Sequence, residues 1–212
     1  LNVRKYSHML DKFRSARYMR QMCSDIINGL PFMKMHGLGN DFVVLDARAT
    51  NRQDSGPAPF TVTPALAKAV GHRHFGVGFD QLAVISDGPG DAHLTFYNAD
   101  GSVSAACGNA TRCIARFLMQ ETGKSTLHLT TDRGDLAAQD MGDGLTAVNM
   151  GQPQLSWQEI PLSHQTDTLA LPIDGAPTAT GMGNPHCTFF VDDVDAIDLK
   201  LFGPKIENHP LY

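Results

Sequence analysis

The run Asn98-Ala-Asp-Gly-Ser-Val-Ser-Ala-Ala-Cys107-Gly-Asn-Ala-Thr-Arg-Cys-Ile-Ala-Arg-Phe117 decides how the rest of this chain is read. It begins as a polar turn from Asn98 to Ser102, passes through small residues to a cysteine, and continues as an amphipathic helix. Ala110, Cys113, Ile114, Phe117 and Leu118 recur at i, i+3, i+4, i+7 and i+8 and define an apolar face. Arg112, Arg116 and Gln120 fall opposite, and Gly123 is a natural stop. Cys107 therefore stands just ahead of the helix, where unsatisfied N–H groups and the positive end of the dipole favour an anion. A thiol there is expected to be more acidic than the ~8.5 of a free cysteine. The competing reading is a small buried filler. Ala105, Ala106 and Gly108 tip the balance to a reactive thiol, because small residues let a ligand approach the backbone.

Outward from this run, the composition is that of an ordinary globular protein of 212 residues, with 42% hydrophobic and 18% charged residues. No apolar stretch approaches the roughly 18 residues of a membrane span. Cysteines 23, 107, 113 and 187 show neither CxxC pairs nor regular spacing, which indicates neither a zinc site nor a disulfide framework and fits a reducing cytoplasm. Charge is uneven. Residues 1–24 carry six Lys/Arg against Asp11, a net of +5 in a chain whose total is −5. An acidic body argues against nucleic-acid binding. The basic segment 1–25 reads as a disordered or adventitious extension, with an Arg-rich targeting segment as the alternative.

Ordered sequence is expected from about Ile26, with a strand at Phe32–His36, a turn at Gly37–Asp41 and a returning strand at Phe42–Leu45. Residues 51–59 read as a loop. Pro64–Val70 reads as a helix with Thr63 as its cap. Leu82–Ile85 and His93–Tyr97 are strands, the second delivering the chain to Asn98. Beyond the helix, Leu127–Thr131, Asp135–Gln139 and Leu145–Asn149 form a β meander. Short strands around a few helices point to an α+β fold. The expected organisation is a domain at 26–150 and a partial one at 151–212, with 152–177 as a crossing plus a loosely paired strand. His72 and His74 flank Arg73 and lack a convincing third metal ligand, so they read as loop residues. Asp80 and Asp100 read as turn residues, and Cys113 and Cys187 as packing.

Gly181-Met-Gly183-Asn184-Pro-His186-Cys-Thr-Phe-Phe-Val-Asp192 repeats the pattern of Gly37-Leu-Gly39-Asn40-Asp-Phe-Val-Val-Leu-Asp46. Each has G-[LM]-G-N and then an apolar run closed by Asp, which suggests two copies of one fold. Cys107 lies 67 residues after Asn40, and the same offset from Asn184 runs past Tyr212, so the second copy is expected to be incomplete.

Lys34-Met-His-Gly-Leu-Gly-Asn-Asp-Phe42, Gly78-Phe-Asp-Gln81, Asn98-Ala-Asp-Gly-Ser102, Ala106-Cys-Gly-Asn109 and Gly183-Asn-Pro-His186 together resemble diaminopimelate epimerase. The resemblance runs from about Met33 onward. It implies two pseudo-symmetric domains, each a mixed sheet around a central helix, acting without pyridoxal phosphate or metal, as a homodimer. It also implies two cysteines on opposite faces of the substrate α-carbon, the first of them Cys107. By the same resemblance Gly108 and Asn109 correspond to donors to the α-carboxylate, and Asn40, Gln81, Asn98 and Asn184 to amides that hold the substrate's polar groups. Neutral amides suit a zwitterion because each carries donors and an acceptor. His186 corresponds to a residue near the cysteines that tunes their protonation. Each has a plainer alternative: Asn40 and Asn98 as turn residues, His186 as a hydrogen-bonded core residue, Gln81 as a satisfied strand amide.

The chain departs from the family pattern in lacking Arg-Thr-Asn, Glu-Arg-Gly and a second Ala-Cys-Gly-Thr-Gly segment. The resemblance therefore implies a fragment impaired in racemisation. Other readings are a cysteine hydrolase, a fold relative that isomerises without cysteines such as the phenazine-biosynthesis isomerases, a proline-racemase-like enzyme, and a fragment that only binds its ligand. Ala106-Cys-Gly-Asn109 favours the thiol chemistry over the cysteine-free isomerases.

Overall fold

The computed structural model describes residues 4–5, 31–48 and 61–212. The expected onset near Ile26, the loop at 51–59 and, apart from Arg4–Lys5, the basic extension lie outside the described residues. The described chain divides into two compact units, one ending at Met150 and one from Gly151 to Tyr212.

In the first unit the apolar runs Phe42–Leu45 and Leu82–Ile85 are continuous rather than alternating, the pattern of strands covered on both faces. Strands β1 (Arg4–Lys5), β2 (Phe32–Gly37), β3 (Asn40–Asp46), β4 (Gln81–Ser86), β5 (Ala92–Asn98), β6 (Val103–Ser104), β7 (Thr126–Thr131), β8 (Gly134–Gly142) and β9 (Leu145–Asn149) make one sheet. Its order is β1-β2-β3-β4-β5-β7-β8-β9, with β6 on β5. The pairs β3–β4 and β5–β7 are parallel and the others antiparallel, so the sheet is mixed. The two parallel pairs need crossovers, and the helices α1 (Pro64–Gly71) and α2 (Gly108–Thr122) supply them. This is the α+β arrangement expected from the sequence.

Period-two alternation assigns each strand residue to one helix. Phe42, Val44, Ala83, Ile85, Leu94 and Phe96 pack in one core with Ala110, Ile114 and Leu118 of α2. Val43, Leu45, Leu82 and Val84 pack in the other with Leu66, Ala67 and Val70 of α1. Helix α2 touches β2 and β3 at one end of the sheet and β7, β8 and β9 at the other, so the sheet curls around it. The apolar face read from the sequence is the buried one, with Phe117 half-buried at its margin. Burying a side chain such as Ile114 contributes about 1.5–3 kcal/mol. Gly123 ends α2 in the left-handed conformation at φ 73°, its N–H donating to the Met119 carbonyl.

The second unit is sparser. Strands β10 (Thr178–Gly181) and β11 (Pro185–Thr188) form a two-stranded antiparallel sheet, joined by a single bridge from Gln154 to Gly181. The loosely paired strand expected in 152–177 is reduced to that bridge. Ile160, Leu162, Leu171, Ala179 and Leu211 form a small core, against which Cys187 packs. Helix α3 (Leu199–Glu207) buries none of its residues. The apolar run after Asn184 leaves the sheet at Thr188, and Phe190 is 85% exposed. No helix among the described residues is long and apolar enough to cross a membrane.

Candidate active site

Cys107 is the N-cap of α2, as its place in the sequence implies. Its Sγ accepts from the Ala110 N–H at 3.4 Å, and its carbonyl accepts from the Thr111 N–H and hydroxyl at 2.9 and 2.8 Å. The thiol is half-buried. Burial pushes its pKa up, and the Ala110 and Asn109 N–H groups and the Arg112 charge oppose that without overcoming it. The expectation of an acidic thiol is thus reversed in sign. Donors at a helix start favour a thiolate, but loss of water around the sulfur costs more than they return. Cys113 sits in the core and donates to the His36 carbonyl at 3.5 Å, which agrees with its reading as a packing residue.

Gly108 and Asn109 open the helix beside Cys107. Among the described residues a β-carbon on Gly108 would meet only the end of the Met150 side chain, Sδ at 3.7 Å and Cε at 3.9 Å, so the backbone stays approachable. Asn109 accepts on Oδ1 from the Arg112 guanidinium, which leaves its amide N–H groups as donors. The Gly37 backbone lies against Asn109, a β-carbon there falling 3.6 Å from the Asn109 carbonyl oxygen. Gly37 pairs with Asn40 across the hairpin, so this packing brings the first G-L-G-N turn to the start of α2.

The Asn40 Oδ1 is buried without a hydrogen-bond partner among the described residues. Gln81 begins β4, pairs in register with Asn98 at the end of β5, and donates from Nε2 to Asn98 Oδ1 at 3.1 Å. Asn98 Nδ2 donates in turn to Ser102 Oγ at 3.0 Å. Asn98 therefore ties the turn together, the plainer of the two readings of it. Asp100 accepts from the Ser102 N–H and hydroxyl, the turn role expected of it. His72 caps α1 at its C-terminus and accepts on Nδ1 from the His74 and Phe75 N–H groups. That nitrogen closes a turn, consistent with a loop histidine. No cluster of three His, Cys, Asp or Glu placed to hold a metal occurs among the described residues.

Asn184 and His186 lie in the second unit, at the β10–β11 hairpin and on β11, and both are exposed. The core alternative for His186 does not hold. An open hollow of about 890 Å³ lies against β7, β8 and β9, lined by Lys124, Thr126, His128, Gln139 and Asn149 among others, and none of the expected site residues lines it.

Four charged residues around the amides were not foreseen as a group. Asp41 and Asp80 exchange backbone hydrogen bonds, and Lys34 and Arg73 close on their carboxylates. Burial alone would raise the Asp41 carboxyl, but Arg73 and Lys34 beside it hold it well below the usual carboxylate range. The signal available in sequence was the order Asn40-Asp41 and Asp80-Gln81, each amide abutting an acid.

Residues 32–156 match the family described as Diaminopimelate epimerase. The chain belongs to that family. A diaminopimelate epimerase of Acidiphilium cryptum is 47% identical over 188 residues, covering 86% of this chain and 65% of its own. One of Zymomonas mobilis is 46% identical over 187 residues, covering 85% of this chain and 64% of its own. The chain thus spans about two thirds of the length of the family members it matches. Among solved structures, a protein of Pseudomonas aeruginosa described as a predicted epimerase aligns at 14% identity over 80% of this chain and 62% of its own, with a TM-score of 0.47, too remote to bear on the assignment.

Proposed function

We propose that this chain carries the Cys107 half of a cofactor-independent site that interconverts LL- and meso-2,6-diaminopimelate, a precursor of lysine and peptidoglycan. The observation that carries the reading is Cys107 at the start of α2, with helix-start N–H groups around its sulfur and the approachable Gly108 backbone beside it. A thiolate at Cys107 takes the α-proton, and the C–H electron pair remains on the α-carbon. A thiol on the other face then delivers a proton there, so one proton leaves, one enters, and the sulfurs exchange roles. The α-proton is very weakly acidic, and each 1.36 kcal/mol of carbanion stabilisation is worth about tenfold in rate. Helix-start donors aimed at the carboxylate supply that stabilisation without a cofactor. In this reading Gly108 and Asn109 seat the α-carboxylate, while Asn40, Gln81 and Asn98 hold remaining polar groups. The protein acts as a cytoplasmic homodimer in this reading. The 212 residues hold one Ala-Cys-Gly motif, so we infer that this chain by itself is impaired in complete epimerisation.

Incubation with diaminopimelate in D₂O tests the reading. Slow deuteration at the α-carbon that disappears in Cys107→Ser supports it. Equal incorporation by Cys107→Ser, or none above the buffer blank, overturns it. Full-rate LL-to-meso conversion would overturn the inferred impairment.

A further inference from the structure

We propose that Asp41, Asp80, Arg73 and Lys34 form a clasp that positions the amides of Asn40, Gln81 and Asn98, which makes the four residues positioning residues of the site read above. The inference rests on that reading for its function and on geometry for its existence. Asp41 and Asp80 stand side by side where the parallel strands β3 and β4 begin, one residue before the Phe42–Gln81 register pair. The Asp41 N–H donates to Asp80 Oδ2 at 3.0 Å. The Asp80 N–H answers to Asp41 Oδ1 at 3.0 Å and to the Asp41 carbonyl at 2.9 Å. Each carboxylate therefore grips the other strand's backbone.

Two like charges this close repel unless they are countered. Arg73 counters both: its guanidinium takes Asp41 through two nitrogens, at 2.8 and 3.2 Å, and reaches Asp80 Oδ1 at 2.6 Å. Lys34 donates to Asp41 Oδ2 at 2.6 Å and to the Gly78 carbonyl at 2.5 Å, tying β2 to the loop that leads into β4. Two cations thus balance two anions and join three chain segments.

Stability does not explain the investment. Arg73 is 55% exposed and Asp80 43%, and ion pairs this open to solvent add little to stability. What the arrangement supplies is direction, since a planar guanidinium with two carboxylates admits few geometries. The two gripped residues are the immediate neighbours of Asn40 and Gln81. Gln81 passes the constraint to Asn98 through its side-chain hydrogen bond. The clasp therefore holds three amides in one frame although they come from three strands. An error of about 1 Å in such a frame is costly to a bound ligand.

The test uses this chain and its Arg73→Gln and Arg73→Lys variants. Cys107 is alkylated with an aziridine analogue of diaminopimelate, which reads ligand positioning, and with iodoacetamide, which reads the bare thiol. In Arg73→Gln the half-saturating concentration of the aziridine rises about tenfold, the cost of roughly one misdirected contact. The iodoacetamide rate and the melting temperature stay near those of the parent, and Arg73→Lys recovers part of the loss. In ¹⁵N-edited spectra the side-chain amide signals of Asn40 and Gln81 move in Arg73→Gln, while backbone signals of β7–β9 do not. An unchanged half-saturation with unmoved amide signals overturns the clasp. So does a parallel fall in aziridine labelling, iodoacetamide labelling and melting temperature, the signature of a purely structural role. If the parent chain shows no saturable labelling, the function reading fails by itself, and the amide signals alone then decide whether the clasp positions them.

Discussion

The turns Gly37-Leu-Gly-Asn40 and Gly181-Met-Gly-Asn184 share their letters but not their consequences. In the first, Leu38 and Gly39 form a two-residue loop with φ of 56° and 88°, the left-handed pair that matches strand twist. It joins six paired positions inside a nine-stranded sheet, under α2 and beside the clasp. In the second, three residues with Gly183 at φ 102° join four paired positions of a two-stranded sheet. A hairpin with so few neighbours is marginal by itself. Local turn chemistry therefore specifies a hairpin in both places, while the surrounding sheet decides how much stability and how much chemical precision it receives.

The contrast can be broken at several levels. Ile114→Ala removes a fully buried side chain of the first unit and is expected to lower the unfolding free energy by about 2–5 kcal/mol in urea titrations. Leu201→Ser on α3, at a side chain 69% exposed, stays within about 0.5 kcal/mol, and comparable losses in the two variants would contradict the asymmetry. Gly39→Val places a branched residue in a left-handed turn and costs about 1–2 kcal/mol. Gly183→Val carries similar local strain, yet hydrogen exchange is expected to show lost protection only at β10–β11.

Acid titration sharpens the same point. The folded Asp41 pKa lies below its unfolded value of about 3.9, so its contribution is present above that pH and lost as pH falls through the folded value. Melting temperature between pH 6 and pH 2.5 should fall less steeply in Asp41→Asn than in the parent.

The smallest effect concerns Cys107. Because burial raises its pKa, alkylation by iodoacetamide should reach half its maximal rate above the ~8.5 of a free thiol. Arg112→Gln removes an opposing positive charge and moves that midpoint further up; a downward move would show that Arg112 does not act on the thiol. The sign for stability follows: the neutral thiol is fully compatible with the fold below the unfolded pKa, and stability declines as pH rises toward the folded one.

Much of the first unit was legible because its signals are local. Helix α2 carries its apolar stripe, its cap and its terminal glycine within the unbroken run from Cys107 to Gly123. The strands of the meander are separated by turns that Gly134 and Gly142–Gly144 make explicit. The second unit was read less well. The aromatic run after Asn184 looks like strand, but with one partner strand and little to pack on, only Pro185–Thr188 pairs. Lys34, Asp41, Arg73 and Asp80 could not be grouped in advance, since their meeting depends on the parallel pairing of β3 with β4.

From the sequence alone came the fold class, the helix start that presents Cys107, and the family, because periodicity, capping and motif order are properties of neighbouring residues. Two things waited for the tertiary structure. One is the sign of the Cys107 pKa shift, which desolvation controls and which depends on residues packed from elsewhere in the chain. The other is the clasp behind the amides, since hydrogen bonds between residues 39 positions apart exist only once β3 and β4 lie side by side.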